Sequence, residues 1–341
     1  MMIKRIIGFI LLIASSTLLY AQVGGNRSYE FLNVPYTARL TGLGGVNVSQ
    51  ADEDVNLFLS NPALVGDTLS GYASANYLSY FADISLATFA YARKVDRLGG
   101  MLSVGIQHLG LGSIDGYDAS GNLTQPFTSG ETALTLSHAR KAGNFRMGAN
   151  LKWISSNIAG YRSSALLFDL GGVFVHPEKQ LNIGMAIKNI GFVLSDYTDD
   201  SATSPPMDVQ VGATFKPEHM PFRFSITAYQ FANGGKEIAY YEPSNELQSD
   251  KPGGFDKFAR HFVIGTELIL SKNVNVRLGY NHLVRKELRL ESKAGGAGIS
   301  YGFMFRVKAV EFAYSKGGYP ISGGAHQFTM AFNTNNVLRR R

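Results

Sequence analysis

Residues 144–154 read NFRMGANLKWI, and two chemistries interleave in them. Phe145, Met147, Ala149, Leu151 and Trp153 hold the odd positions, with Asn144, Arg146, Gly148, Asn150 and Lys152 between them. Successive side chains of a strand point to opposite faces, so this segment has one apolar and one wet face. Helical spacing would scatter the same residues around a cylinder. The pattern recurs in 207–216, where Met207, Val209, Val211, Ala213 and Phe215 alternate with Asp208, Gln210, Gly212, Thr214 and Lys216. It recurs again in 273–281, with Val274, Val276, Leu278 and Tyr280 against Asn275, Arg277 and Gly279.

Alternation alone suits a soluble sandwich equally well. Two further features favour a membrane barrel. The segments approach the roughly 9–11 residues that a tilted strand needs to cross a bilayer. Their wet face mixes small and charged residues, as a barrel interior tolerates. Scanning outward gives 14 candidate strands, starting near Ser70, Ile84, Leu98, Gly130, Asn144, Tyr161, Gln180, Met207, Pro221, Arg260, Asn273, Gly296, Arg306 and Gly324. Connections after the even-numbered strands are short. Those after strands 3, 7, 9, 11 and 13 are longer, and the link after strand 1 breaks the trend by being short. Outer-membrane barrels segregate short periplasmic turns from longer external loops in this way. The expected fold is therefore all-β: a 14-stranded antiparallel transmembrane barrel over 70–333. Hydrocarbon offers an open sheet edge no hydrogen-bond partner, so the last strand must close on the first. That places His326, Phe328, Met330 and Phe332 on the outside. The chain then continues into a basic tail, 334–341, where outer-membrane barrels usually end on an aromatic residue.

Composition agrees. Charged residues make up 17% of the chain, below the roughly 25% of soluble domains. The formal charge of +6 is scattered rather than striped, which is not a nucleic-acid footprint. Residues 1–21 combine a basic start, an apolar run and a small residue at Ala21, the marks of a signal peptide. The chain contains no Cys, so disulfides, thiolate metal sites and a lipid-modified cysteine are excluded.

Residues 22–69 precede the first strand. A lumen of 14 strands is wider than its own side chains can fill, since about 8 strands is where they suffice. This segment is the available filling, and 22–69 is expected to plug the barrel. Its stretch GLGGVNVSQADEDVNLFLSNPALV (42–65) tempts other readings. Gly42 and Gly44 begin a dinucleotide fingerprint, but Asn47 stands where the third glycine belongs. Asp52, Glu53 and Asp54 lack the spacing of a calcium loop. They read better as a solvated or lumen-facing turn that pairs with inward Arg146, Arg223 or Arg277.

The same stretch, with its Gly44-Gly45 turn and its Asn61-Pro62-Ala63 motif, resembles the plug of the FadL-like outer-membrane family. The segments FLNVPYTARL (31–40) and IDGYDASGNLTQPFTSGETALTLSHAR (114–140) look like the PorQ- and PorV-like branch, whose barrels serve the type IX secretion system. The resemblance implies a non-enzymatic role without cofactors. Such a barrel scaffolds a surface attachment complex, holding a PorZ-like protein at the cell surface beside a PorU-like sortase and a PorV-like barrel, in contact with outer-membrane lipid and lipopolysaccharide.

Catalytic constellations are not legible. The seven His residues form no H-E-x-x-H and no i, i+4 pair. Ser137 and His138 are neighbours on a strand, so they face opposite ways and cannot form a hydrolase pair. In the longest external loop, Tyr240, Tyr241 and Phe255 are candidate partner-binding residues, because aromatic rings give contact area at low entropic cost. Two functions compete: a plugged scaffold, and a FadL-like channel for hydrophobic small molecules. The inward set Arg146, Lys152, Lys188, Asp208, Lys216, Arg223, Glu267 and Arg277 disfavours a greasy lumen.

Overall fold

A computed structural model describes residues 27–81, 83–118, 120–199, 203–232, 253–288, 295–318 and 324–335. The leader, Tyr240-Tyr241 and the arginine tail lie outside the described residues. Fourteen strands form one closed antiparallel barrel in which each strand pairs with its neighbours in sequence. They are Tyr72–Ser79 (β1), Ser85–Val95 (β2), Gly100–Ile114 (β3), Phe127–Ala142 (β4), Phe145–Ile158 (β5), Tyr161–Val175 (β6) and Gln180–Ser195 (β7), followed by Asp208–Lys216 (β8), Phe222–Ala228 (β9), Phe262–Ser271 (β10), Val274–Asn281 (β11), Ile299–Val307 (β12), Val310–Gly317 (β13) and Ala325–Asn333 (β14). The seam runs from Tyr72 opposite Asn333 to Ser79 opposite His326. Short helices cover Ala38–Gly42 (α1), Gly254–Ala259 (α2) and His282–Glu287 (α3). None among the described residues is long and apolar enough to cross a membrane.

The alternation of residues 144–154 becomes a difference of surroundings. Met147 is 62% exposed and Trp153 48%, whereas Asn150 and Lys152 are 1% and 2% exposed. Phe328 and Met330 face outward as expected, with Gln327 and Thr329 buried in alternation with them. Lys188, Asp208, Glu267 and Arg277 all point inward and are buried.

Three details refine the reading of the strands. The thirteenth strand begins at Val310, not near Arg306, because Arg306 still pairs with Glu311 across the hairpin and the chain turns at Lys308, with φ +55°. The link after β5 is shorter than the link after β1, which spans residues 80–84. Ala159 and Gly160, both at positive φ, make a two-residue hairpin turn whose twist suits antiparallel strands. Finally, β7 carries a bulge at Asn189, φ +57°, where its register against β6 shifts. Lys188 and Asn189 therefore both bury their side chains, which simple alternation forbids. The wall is also uneven. Strands β3–β7 have 14–16 residues, and β8–β14 have 7–10. One half thus rises beyond the other at the long-loop end.

Candidate functional site

The leading segment threads the lumen from one end to the other. At the long-loop end, the Ser28 amide donates to the Ser204 carbonyl and the Tyr29 hydroxyl meets that of Ser163. At the opposite end, the Gly71 amide donates to Ala92 and the Gly71 carbonyl accepts from Thr334 as the chain enters β1. Between these ends the segment is almost entirely buried. Tyr36, Leu40, Val55, Phe58 and Leu64 form one apolar cluster with inward Leu78, Ile154 and Leu167.

The motifs singled out in the sequence sit at its tightest points. Gly44 and Gly45 have φ of +96° and +97°, a conformation that side chains bearing a Cβ rarely adopt. They turn the chain out of α1, and the Gly44 carbonyl accepts from Asn281. The Asn61 side-chain oxygen accepts from the Ala63 amide, and its Nδ2 donates to the carbonyls of Val48 at 2.9 Å and Gly172 at 3.1 Å. One side chain thereby caps a turn and ties two distant parts of the chain together. Pro62 occupies the first position of that turn, where its missing amide hydrogen costs nothing. It lies on the wall glycines of β5 and β6: a Cβ on Gly148 would come within 2.8 Å of Pro62, and one on Gly171 would collide with Asn61.

Ion pairs fasten the segment to the wall. Glu267 is fully buried and accepts from Arg39 at 2.7 Å, Arg223 at 2.8 Å, Arg277 at 2.9 Å and Gln50 at 2.7 Å. Arg39 and Gln50 belong to the segment, and the other two arginines to the wall. The acidic turn diverges. Asp52 takes Arg146 at 2.8 Å and Glu53 takes Arg223 at 2.6 Å. Asp54 accepts from Thr37 and from the Asn56 amide. The closest partners of the three carboxylates thus differ, with Arg39 also lying 3.7 Å from Glu53 and 4.0 Å from Asp54. Of the three arginines considered for this turn, Arg146 and Arg223 take it, whereas Arg277 goes to Glu267 on the adjacent strand, which is directly within its reach. A second cluster escaped sequence reading. Lys152 meets Asp169 at 2.7 Å and Asn189 at 2.9 Å, and Asn150 bridges Asp169 to the carbonyl of Phe58. Asp169 falls on the inward phase of β6, which is the signal that could have found it.

Above the segment, at the long-loop end, lies a cavity of about 440 Å³. Its floor is the segment itself, through Leu32, Val34, Tyr36 and Leu40, and its rim includes Leu78, Tyr229 and Leu283. Lys188, Asp208 and Gln210 supply polar groups at one side. The Lys188 ammonium makes no hydrogen bond among the described residues, whereas Asp208 accepts from Gln210 and from the Phe231 amide.

Phe255 lies on α2 and is 83% exposed, with Phe258 beside it at 62%. α2 is stapled to α3 through Asp256, which accepts from Arg260 at 2.8 Å, His282 at 3.0 Å and Lys286 at 3.1 Å. Partial burial opposes ionisation of Asp256, but the hydrogen bonds from His282, Lys286 and Arg260 hold its pKa down at about 2. Ser137 points inward and is buried beside partly exposed His138, so the two do not meet as a catalytic pair.

No family model matches the chain, and no curated protein matches it. Among solved structures the chain is similar to a deltaS2 mutant of the TodX monoaromatic hydrocarbon channel. The TM-score is 0.52 at 12% identity, over 88% of this chain and 97% of that one. It also matches a Pseudomonas aeruginosa FadL homologue, with TM-score 0.47 and 11% identity over 88% and 99% of the two chains. The Acinetobacter baumannii outer membrane protein Omp33 matches with TM-score 0.37 and 9% identity over 77% and 95%. The likeness is one of fold.

Proposed function

We propose that the protein is a non-enzymatic outer-membrane barrel of FadL-like type that takes a small, mostly apolar molecule into its mouth cavity, with residues 27–71 acting as a plug beneath it. Membrane placement is supported by the apolar outer face and the buried charged interior. The cavity carries the binding proposal. Its size lies within the ~300–1,000 Å³ of ordinary ligand pockets, and apolar Leu32, Val34, Leu40, Leu78 and Leu283 share its lining with charged Arg27, Glu30, Lys188, Asp208 and Glu287. Of the inward charges seen in the sequence, Lys188 and Asp208 reach the mouth, while Arg146, Arg223, Glu267 and Arg277 sit lower, where they fasten the plug. The hydrocarbon channel named for TodX fits this reading.

The test is displacement of a naphthylamine fluorophore from detergent-purified protein by toluene. Val34→Trp, which fills the cavity floor, should abolish binding while the barrel stays folded. Equal binding by Val34→Trp would refute the assignment.

A second reading keeps the type IX role: a PorQ-like scaffold that holds a PorZ-like protein beside PorU- and PorV-like partners. Its support is the resemblance at 31–40 and 114–140 together with Phe255 and Phe258, displayed on a helix that ion pairs hold in place. Affinity capture from detergent extract separates the readings. Loss of a PorZ-like protein on Phe255→Ala/Phe258→Ala supports the scaffold, and its absence from the wild-type capture rejects it.

A further inference from the structure

The outer wall carries a feature that the mouth cavity does not explain. Across β12, β13, β14 and β1 lies an open groove of about 630 Å³ on the lipid-facing side. Its flanks are aromatic. Phe303, Tyr314, Phe328 and Tyr77 form one cross-strand row. The next row is Phe305, Phe312, Met330 and Ala75. Ring centroids lie 5.2 Å apart for Tyr314 and Phe328, and 5.4 Å for Phe305 and Phe312, so the flank is a packed aromatic surface. Ala75 makes the groove. Where neighbouring strands place a ring or a Met, β1 places a methyl group.

The row above, toward the long-loop end, changes chemistry. Tyr301, Lys316, His326 and Ser79 stand opposite one another there and share the outward face. Same-face rows are two residues, roughly 6.6 Å, apart along a strand. The polar row therefore lies within one side-chain length of the groove. Tyr314 bonds His326 Nδ1 at 2.8 Å, which fixes the imidazole and leaves its Nε2 side uncommitted among the described residues. Lys316 has no ion pair among the described residues. Within β8–β14 and β1 it is the only outward Lys or Arg in the long-loop half of the wall. An apolar channel ending in a cation, an imidazole and two hydroxyls matches an acyl chain that ends in a phosphate.

We infer that this face holds a phosphate-headed membrane lipid, with one acyl chain along the aromatic groove and its headgroup between Lys316 and His326. A second copy of the barrel is a poorer occupant. The outward positions of β12–β14 and β1 contain no Asp or Glu to meet Lys316, so two such faces would set like charges together. The inference rests on the membrane placement and is independent of the mouth cavity.

Delipidated full-length protein in mild detergent is titrated with dioleoyl phosphatidylglycerol or dioleoyl phosphatidylcholine, and retained lipid is counted by native mass spectrometry. The anionic lipid should be retained in preference to the zwitterionic one. Lys316→Ala/His326→Ala should lower its retention at least about tenfold, as loss of ~1.4 kcal/mol would. Ala75→Trp, which fills the groove, should lower retention of both lipids. Arg162→Ala, an outward cation on the tall half of the wall, is the control and should leave retention unchanged. A gel shift on boiling certifies that each variant is folded. Equal retention of the two lipids, wild-type retention by Lys316→Ala/His326→Ala, or a dimer that Ala75→Trp disrupts would each overturn the inference.

Discussion

Replacing Glu267 by alanine tests whether charge fastens the leading segment. Four donors converge on this carboxylate, at 2.7 Å from Arg39 and Gln50, 2.8 Å from Arg223 and 2.9 Å from Arg277. Their fates then differ. Arg223 keeps Glu53 at 2.6 Å, and Arg39 keeps Glu53 at 3.7 Å and Asp54 at 4.0 Å. Arg277 keeps nothing among the described residues, since its Nη1 and Nη2 already lack partners and it is 1% exposed. An uncompensated buried charge of this kind costs about 3–5 kcal/mol. Two of the four donors belong to the segment, so roughly half of that, ~2 kcal/mol, should fall on its docking. This corresponds to about a thirtyfold rise in the undocked population. The chain contains no cysteine, which makes the assay clean. A single cysteine at Ala51, 7% exposed, should react with a maleimide about thirtyfold faster in the Glu267→Ala background. Adding Arg277→Met removes the bare charge. Thermal stability should then recover while labelling stays fast, because Arg39 and Gln50 still lack their acceptor. Wild-type labelling and stability in Glu267→Ala would refute the idea that this carboxylate holds the segment.

Further outcomes follow from the same geometry. Gly171→Ala should lower thermal stability by about 1–3 kcal/mol, because its Cβ collides with Asn61 and lies 2.7 Å from Pro62; calorimetry of the detergent-solubilised barrel reads this. Lys152→Ala strands fully buried Asp169 with only amide donors and should cost about 3–5 kcal/mol, whereas Lys152→Ala/Asp169→Ala should recover part of the loss in the same calorimetry. Asp256 has a folded pKa of about 2, below its ordinary 3.8. Its contribution is therefore complete above about pH 4 and is lost as pH falls through about 2. Pepsin cleavage at Phe255 and Phe258 should accelerate over that window and be insensitive to it in Asp256→Asn. Unboiled protein should migrate differently from boiled protein in denaturing gels, and cutting the seam by Thr329→Pro should abolish the shift.

What the sequence made legible divides by physical range. Strand alternation is a local signal, because each residue reports which of two environments its own face meets. The outward run Phe145, Met147, Leu151, Trp153 and the inward run Arg146, Asn150, Lys152 could therefore be read without knowing any partner. Cross-lumen pairing has no local signal. Arg39 and Glu267 are 228 positions apart and meet only because the barrel closes. Of the three arginines offered to the acidic turn, Arg146 and Arg223 take it and Arg277 does not, because alternation shows which charges face inward, not which lie within 3 Å of one another. The bulge at Asn189 was hidden for another reason, since an extra residue shifts the phase of the strand and looks, in sequence, like noise in the alternation.

One physical statement joins the two parts of the molecule. The wall turns Arg146 and Arg223 inward at places where the wall itself offers Arg146 no acid and Arg223 only a shared one. The leading segment brings Asp52 to the first and Glu53 to the second. Buried charge without a partner costs several kcal/mol per ion, so a barrel with this lumen is incomplete without this segment. The cluster Ala51-Asp52-Glu53-Asp54, which in isolation resembles a cation loop, acquires its meaning from arginines about 90 and 170 residues away. Exchanging the charges tests this directly. Asp52→Arg should expel the segment and Arg146→Asp should do the same. The double exchange should restore slow labelling at Ala51→Cys, and its failure to do so would show that shape, not charge, seats the segment.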